Sequence, residues 1–227
     1  MDQLLTPLLR KVYRWFTAFV LLYLAFFVFE RTTWNKERLY RKLMAGDQPA
    51  IASAAFDLAY LKGESQLVRA LKAPSGAVRT AAINSLWDLW VRAAGHRAFR
   101  DLQAANAAVE RNAYQEALDI LGRVTRTYPD FSEGWNRRAT LYWRMGRMKE
   151  AVIDARKVVE LNPNHFGAWQ GMALCLVHIG DLEEACDCLR RALRITPHDA
   201  GLRSLLTRCE ALLEALSHGH QVPKDLT

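Results

Sequence analysis

Two stretches of the chain carry the same pattern, and that pattern decides the fold. Residues 132–163 read SEGWNRRATLYWRMGRMKEAVIDARKVVELNP, and residues 166–197 read FGAWQGMALCLVHIGDLEEACDCLRRALRITP. Placed 34 positions apart, the two stretches repeat a tryptophan, a glycine, an alanine and a proline. A period of this length indicates an array of structural repeats. The repeated pairs are Trp135 and Trp169, Gly146 and Gly180, Ala151 and Ala185, and Pro163 and Pro197.

A third, less regular copy lies upstream, where Ala117 and Pro129 continue the same spacing. We place the first residues of the three repeats at Ala98, Ser132 and Phe166. With this phase, the tryptophans fill space between neighbouring helices and the alanines mark the points where two helices cross closely. The glycine ends the first helix of a repeat, and the proline separates one repeat from the next.

The pattern resembles the tetratricopeptide-repeat (TPR) family from Ala98 to about Asp199. The resemblance implies an all-α solenoid with two helices per repeat, and the stretch from Gly201 to Leu216 then serves as a polar-faced closing helix. Asn112 replaces the glycine in the first repeat and also tolerates a left-handed conformation. Arg138 stands where the family usually has leucine, so looser packing is expected there. The phrases EGWNRRATLYWRMGR, NHFGAWQGM and LWDLWVRAAG are similar to those of small bacterial and plastid TPR proteins of unassigned role.

The resemblance also implies a concave groove that is lined by the first helix of each repeat. Polar amides in such a groove can pair with the backbone of an extended peptide, and a tryptophan can anchor an apolar side chain. The carboxylate clamp of chaperone-binding TPR proteins is not matched, because Asn136 and Thr140 stand where lysine and asparagine are needed. The predicted groove residues are Asn106, Asn136, Thr140, Trp143, Arg144, Gln170, Leu174 and His178.

An uncharged apolar run, WFTAFVLLYLAFFVF, occupies residues 15–29. Thr6 and Pro7 resemble a helix start, and the helix from Pro7 to Phe29 would measure about 34 Å, enough to cross a bilayer. The sequence therefore predicts a membrane anchor over residues 7–29. A buried core helix and a cleaved signal peptide are the alternatives, although no small residues mark a cleavage site after the run. Five basic residues follow the run within 15 positions and three precede it, which favours a cytoplasmic C-terminal part.

Residues 34–97 alternate helical stretches with short breaks. Asp47 and Ser75 are predicted to begin helices. The helices that follow, IASAAFDLAYL from Ile51 and VRTAAINSLWDLW from Val78, align at an offset of 27 residues. This pair resembles short HEAT-type repeats, and a plain helical bundle is the alternative.

The composition favours an ordered binding protein over an enzyme. The 227 residues are 51% hydrophobic, and the net charge of +7 is concentrated near the apolar run, which favours a membrane surface over nucleic acid. The basic residues also lack the aromatic interleaving of a nucleic-acid groove. The four cysteines are predicted to be free thiols packed as small hydrophobes. The pair His218 and His220 is a weak metal candidate, and no catalytic motif stands out, so we expect no metal, no cofactor and no enzymatic activity.

Together these observations predict four segments: a transmembrane anchor at 1–33, a HEAT-like helical segment at 34–97, a TPR array with its closing helix at 98–217 and a flexible tail at 218–227. The predicted function is a membrane-tethered scaffold that binds a protein segment in the TPR groove. The alternatives are a structural or assembly subunit whose groove is filled by its own HEAT-like segment or by another copy, and an enzyme with an unrecognised site. The partner and the oligomeric state stay open.

Overall fold

The computed structural model describes residues 2–30 and 32–217, and the regular structure in these ranges is entirely α-helical. The prediction of an all-α fold is confirmed. The predicted tail at 218–227 and its two histidines lie outside the described residues. The helices are α1 (Asp2–Glu30), α2 (Thr33–Ala45), α3 (Gln48–Tyr60), α4 (Glu64–Ala70), α5 (Gly76–Val91), α6 (Gly95–Glu110), α7 (Tyr114–Thr127), α8 (Ser132–Arg144), α9 (Met148–Leu161), α10 (Phe166–Ile179), α11 (Leu182–Ile195) and α12 (Ala200–Ser217).

Helix α1 projects from the rest of the molecule with its apolar side chains exposed. It begins at Asp2 rather than at Thr6, so the predicted helix start at Thr6 and Pro7 is wrong. The stretch Lys11–Phe29 is 19 residues long, has a mean hydropathy of 1.8 and is not buried against any other helix. A core helix of a soluble domain would be buried, so this alternative is not supported. By length and composition, α1 fits either a membrane span or a signal sequence.

Helices α2 to α5 form two helix pairs that pack side by side through α3 and α5. The predicted starts of α3 and α5 are confirmed, because Asp47 and Ser75 cap them by accepting hydrogen bonds from backbone N–H groups three residues later. Ile51 and Val78 are both buried, as the 27-residue offset requires. The same offset aligns Phe56 with Ile83, but their surroundings differ. Phe56 is 65% exposed, whereas Ile83 is partly buried. The HEAT-like character of this segment therefore stays a prediction.

Helices α6 to α11 form three consecutive helix pairs, and α12 packs on the last of them. Two of the three predicted repeat starts coincide with helix starts, and α6 begins three residues before the predicted Ala98. The first helix of each pair is followed by a residue with left-handed backbone, namely Asn112 (φ 59°), Gly146 (φ 74°) and Gly180 (φ 90°). The predicted closing helix is present as α12, which buries Leu202 against the array.

The alanines that were predicted to mark close helix crossings are buried in every repeat. A methyl side chain at these points lets the two helix backbones approach each other, and a larger side chain would force them apart. This burial supports the assigned repeat phase. The alanines are Ala105, Ala139 and Ala173 on the first helices and Ala117, Ala151 and Ala185 on the second helices.

Arg138 replaces apolar packing in the second repeat with an ionic bridge across three helices. Its Nε and Nη2 atoms donate to the two carboxylate oxygens of Asp154 on α9, at 2.7 and 2.8 Å. Its Nη1 atom donates to the hydroxyl of Thr125 on α7, at 2.9 Å. The hydrogen bond to Asp154 is the main reason that the pKa of Arg138 is raised. The looser helix packing that was expected at this position is therefore offset by a bidentate ion pair.

We predict that Arg138→Leu, which restores the residue usual in the family, lowers the free energy of unfolding by about 3–5 kcal/mol. The substitution leaves the buried Asp154 carboxylate without its partner. The double variant Arg138→Leu/Asp154→Leu removes both charges and should regain most of the loss. Urea unfolding followed by circular dichroism measures both effects. A single variant as stable as the parent would show that the ion pair contributes nothing.

Candidate protein-binding groove

Five of the eight predicted groove residues lie around one cavity of about 200 Å³ between α8 and α10. They meet because residues four apart on a helix share a face, and α8 and α10 are the first helices of adjacent repeats. Alanines from α8 and α9 also line the cavity, and so do Gly167 and Gly171 of α10. The predicted residues that line it are Asn136, Thr140 and Trp143 from α8 and Gln170 and Leu174 from α10.

The cavity combines an apolar surface with polar groups. Trp143 is 43% exposed, which leaves much of its ring available for contact. The side-chain amide of Asn136 donates to Glu133 at 3.1 Å, and its carbonyl oxygen is the group left to accept. The hydroxyl of Thr140 donates to a backbone carbonyl of its own helix. This mixture is typical of sites that hold an apolar side chain and orient it with a few hydrogen bonds.

The other three predicted groove residues do not line the cavity. Asn106 is half-buried on α6, one repeat earlier, and Arg144 and His178 are exposed near the C-terminal ends of α8 and α10. The Nδ1 atom of His178 lies 2.9 Å from the carbonyl oxygen of Leu174, so the imidazole is partly engaged by its own helix. The cavity is thus centred between the second and third repeats.

Gly171 leaves this cavity open. A Cβ atom built at Gly171 would have no neighbour within 4 Å, although the residue lies in the middle of α10. Glycine in a helix interior costs about 0.5–1 kcal/mol relative to alanine. The space beside Gly171 is therefore available to a ligand.

Gly167, one turn earlier on α10, has the opposite surroundings. A Cβ atom there would meet the indole of Trp87 at 2.9 Å. Trp87 belongs to α5, so the absence of a side chain at Gly167 lets the segment of helices α2–α5 pack against the start of α10. The rings of Trp87 and Trp90 also contact the ring of Phe166, with centroids 5.7 and 5.6 Å apart.

A buried polar pair stands at the centre of the junction. The imidazole of His165 stacks on Trp90 with ring centroids 4.5 Å apart, and its Nδ1 atom accepts the backbone N–H of Ala168 at 3.1 Å. Its Nε2 atom is therefore the nitrogen left to donate to Glu133, 3.1 Å away. Both side chains are fully buried. The second carboxylate oxygen of Glu133 is paired with Arg137 at 2.7 Å, as an ion pair rather than an aligned hydrogen bond.

Sequence reasoning missed most of this cluster. His165 caps α10. Its burial beneath two tryptophans was not expected, because the tryptophans come from α5, far away along the chain. The signal that could have pointed to it is the spacing of Trp87 and Trp90, which places both rings on one face of α5.

The junction covers only one end of the groove. Helix α5 contacts α8 and the first turn of α10, where Trp87 lies next to Phe166 and Gly167. The cavity next to Trp143 and Gly171 remains open. The HEAT-like segment thus contacts the array without filling the cavity.

The described residues offer little for metal or thiol chemistry. None of them forms a group of three or more histidine, cysteine or acidic side chains that could hold a metal ion. The four cysteines are free and buried, as predicted. Burial raises the pKa of Cys175 to about 11 and that of Cys188 to about 12, so these thiols stay protonated at neutral pH.

These features define the class of the protein, which is a helical-repeat solenoid with a concave groove. Tetratricopeptide-repeat family models match residues 102–165 and 142–209. Residues 102–209 therefore form tetratricopeptide repeats. Proteins with such repeats are generally non-catalytic protein-interaction scaffolds.

Known relatives match only part of the chain. A TPR repeat-containing protein of Rhizobium etli is 38% identical over 98 residues, which are 43% of this chain and 48% of that protein. The protein SGT1 homolog of Bos taurus is 30% identical over 52% of this chain and 34% of its own length. Hsp70-Hsp90 organizing protein 1 of Glycine max is 23% identical over 55% of this chain and 22% of its own length. The matches thus span less than half the length of these relatives.

Among solved structures, the Sgt2 TPR domain from Aspergillus fumigatus is similar with a TM-score of 0.50. It is 20% identical, and the match covers 55% of this chain and 83% of that domain. At this identity the likeness shows the fold alone.

Proposed function

We propose that this protein is a membrane-tethered, non-catalytic scaffold that binds an extended segment of a partner protein in the groove between its second and third repeats. In this proposal, residues 1–33 are the anchor, residues 34–97 are a helical spacer and residues 98–217 are the binding array. The observation that carries the proposal is the open cavity beside Gly171, which five of the predicted groove residues line.

The cavity indicates which ligand chemistry it would accept. Alanines and glycines line it together with the ring of Trp143, so its interior suits one apolar side chain of the ligand. In this proposal, the carbonyl oxygen of Asn136 and the amide of Gln170, which both line the cavity, pair with the backbone of an extended peptide. The names of several relatives concern Hsp70 and Hsp90. The lysine and asparagine of the chaperone clamp are replaced here by Asn136 and Thr140, so we do not assign a chaperone tail as the ligand.

The direct test is photo-crosslinking in membranes from the producing cell. A photo-reactive amino acid replaces Gln170, which lines the cavity. In a second protein it replaces Ile153 of α9, which is exposed and lies outside the cavity. We expect a crosslinked partner at Gln170 that is absent at Ile153. We also expect Gly171→Leu to reduce that crosslink at least tenfold, because the added isobutyl group fills the cavity.

The matched control is Ala104→Leu, which adds similar bulk to an exposed position of α6. It should leave the crosslink unchanged, and circular dichroism should show that both variants are folded. The double variant Trp143→Ala/Arg144→Glu should also lose the partner. A crosslink that persists in Gly171→Leu, or equal products from both probe positions, would reject the groove as the binding site.

The membrane tether is a separate part of the proposal, and it rests on the exposed apolar surface of α1. We expect the full chain to stay with membranes after alkaline and high-salt washing, because apolar burial rather than charge would hold it. Deletion of residues 1–33 should release a soluble helical protein. A full chain that is soluble without detergent would refute the tether. A product shortened at its N-terminus in the mature protein would identify α1 as a cleaved signal sequence instead.

A further inference from the structure

Helix α2 follows α1 almost without a linker. Thr32 caps α2 by accepting the backbone N–H of Asn35, and its hydroxyl donates to the carbonyl of Phe29, the last residue of the apolar span. The rings of Phe29 and Trp34 are 5.2 Å apart. The helices after the span are therefore held next to it rather than displaced by a flexible linker.

A cavity of about 430 Å³ joins the end of α1 to α2 and α3. Tyr23, Phe26 and Phe27 of α1 line one side of this cavity, and Arg38 and Tyr60 line the other. Tyr23 precedes the end of the span at Phe29 by six residues, which is about 9 Å along a helix. If α1 crosses a bilayer with Phe29 at the outer surface of the headgroup layer, which is roughly 5–7 Å thick, Phe26 lies about 4.5 Å deep, within that layer, and Tyr23 lies below it. Side chains beside Phe26 then reach the lipid headgroups.

The exposed residues around this cavity have the chemistry of that layer. Trp34, Arg38 and Arg41 are exposed and share one face of α2 by their spacing. Tyr60 is 79% exposed at the end of α3, and Lys62 is exposed in the turn that follows. Tryptophan and tyrosine favour the membrane interface, and lysine and arginine favour anionic headgroups.

Two acidic residues lie close to these groups, and they do not make the net charge of the group negative. Glu37 is paired with Arg69 at 2.6 Å. Asp57 lines the same cavity as Arg38. The face formed by Trp34, Arg38, Arg41, Tyr60 and Lys62, which we call the interfacial face, therefore carries a net positive charge.

We propose that the interfacial face docks onto the headgroups of an anionic bilayer. This inference rests on the proposed tether and goes beyond it, because insertion of α1 does not by itself decide which face of α2 and α3 contacts the lipid. Contact between the interfacial face and the lipid, in addition to the insertion of α1, fixes the orientation of α2 and α3 on the membrane surface.

The test uses the full chain in nanodiscs that contain 30% phosphatidylglycerol and a nitroxide-labelled lipid. Single cysteines that carry a fluorophore are introduced as Tyr60→Cys on the interfacial face, Leu24→Cys on α1 and Ile153→Cys on α9. The native cysteines are buried and should not be labelled. We expect quenching at position 60 to exceed that at position 153 at least threefold.

The position-24 probe separates the two claims. Quenching at 24 with equal, weak quenching at 60 and 153 would overturn the docking and keep the tether. Absence of quenching at 24 would refute the tether, and the docking with it.

Charge reversal tests the proposed chemistry. Arg38→Glu/Arg41→Glu should lower quenching at 60 to the level at 153 and leave position 24 unchanged. The matched reversal Arg123→Glu/Lys149→Glu, at exposed positions of the array, should change nothing. Quenching at 60 that is the same in the parent and in Arg38→Glu/Arg41→Glu would overturn docking through anionic headgroups.

Discussion

The arrangement of the whole molecule depends on the buried contact between Glu133 and His165. Two ionisable side chains withdrawn from water are costly unless each hydrogen bond is satisfied. Here the imidazole caps α10, stacks on Trp90 and donates to one carboxylate oxygen of Glu133. Asn136 donates to the same oxygen, and Arg137 forms an ion pair with the other oxygen. The contact holds because helix α5 covers it, so its stability requires the segment of helices α2–α5 to stay docked.

The docking of helices α2–α5 on the array connects the apolar helix α1 to the groove. Helices α1 and α2 are joined through Thr32, α2 and α3 pack on α4 and α5, and α5 is held on the array by Trp87 and Trp90. A continuous series of contacts thus runs from the apolar helix to the array. In our proposal, this series of contacts presents the groove at a defined position above the membrane surface, which would favour a partner that is itself held at the membrane.

The array could be predicted from the sequence because its constraints are local and repeated. A 34-residue period fixes where helices begin, where alanine must allow a close crossing and where Asn112 must adopt a left-handed backbone. The cavity residues on α8 and α10 were implied by the resemblance to the TPR family. The junction could not be predicted, because it joins Trp90 to His165, two residues that no periodicity relates. The ion pair of Arg138 was also missed, because Asp154 and Thr125 lie on other helices. Only the packing of α7, α8 and α9 brings them to Arg138.

The most direct test of this account is the distance between the segment of helices α2–α5 and the array. Spin labels at Ser53→Cys on α3 and Glu183→Cys on α11, both at exposed positions, can be measured by double electron–electron resonance in the full chain in nanodiscs. The account predicts a single narrow distance distribution, which broadens in Glu133→Ala because the buried imidazole loses its partner. A broad distribution in the otherwise unaltered chain would show that the two parts move independently and would contradict the account.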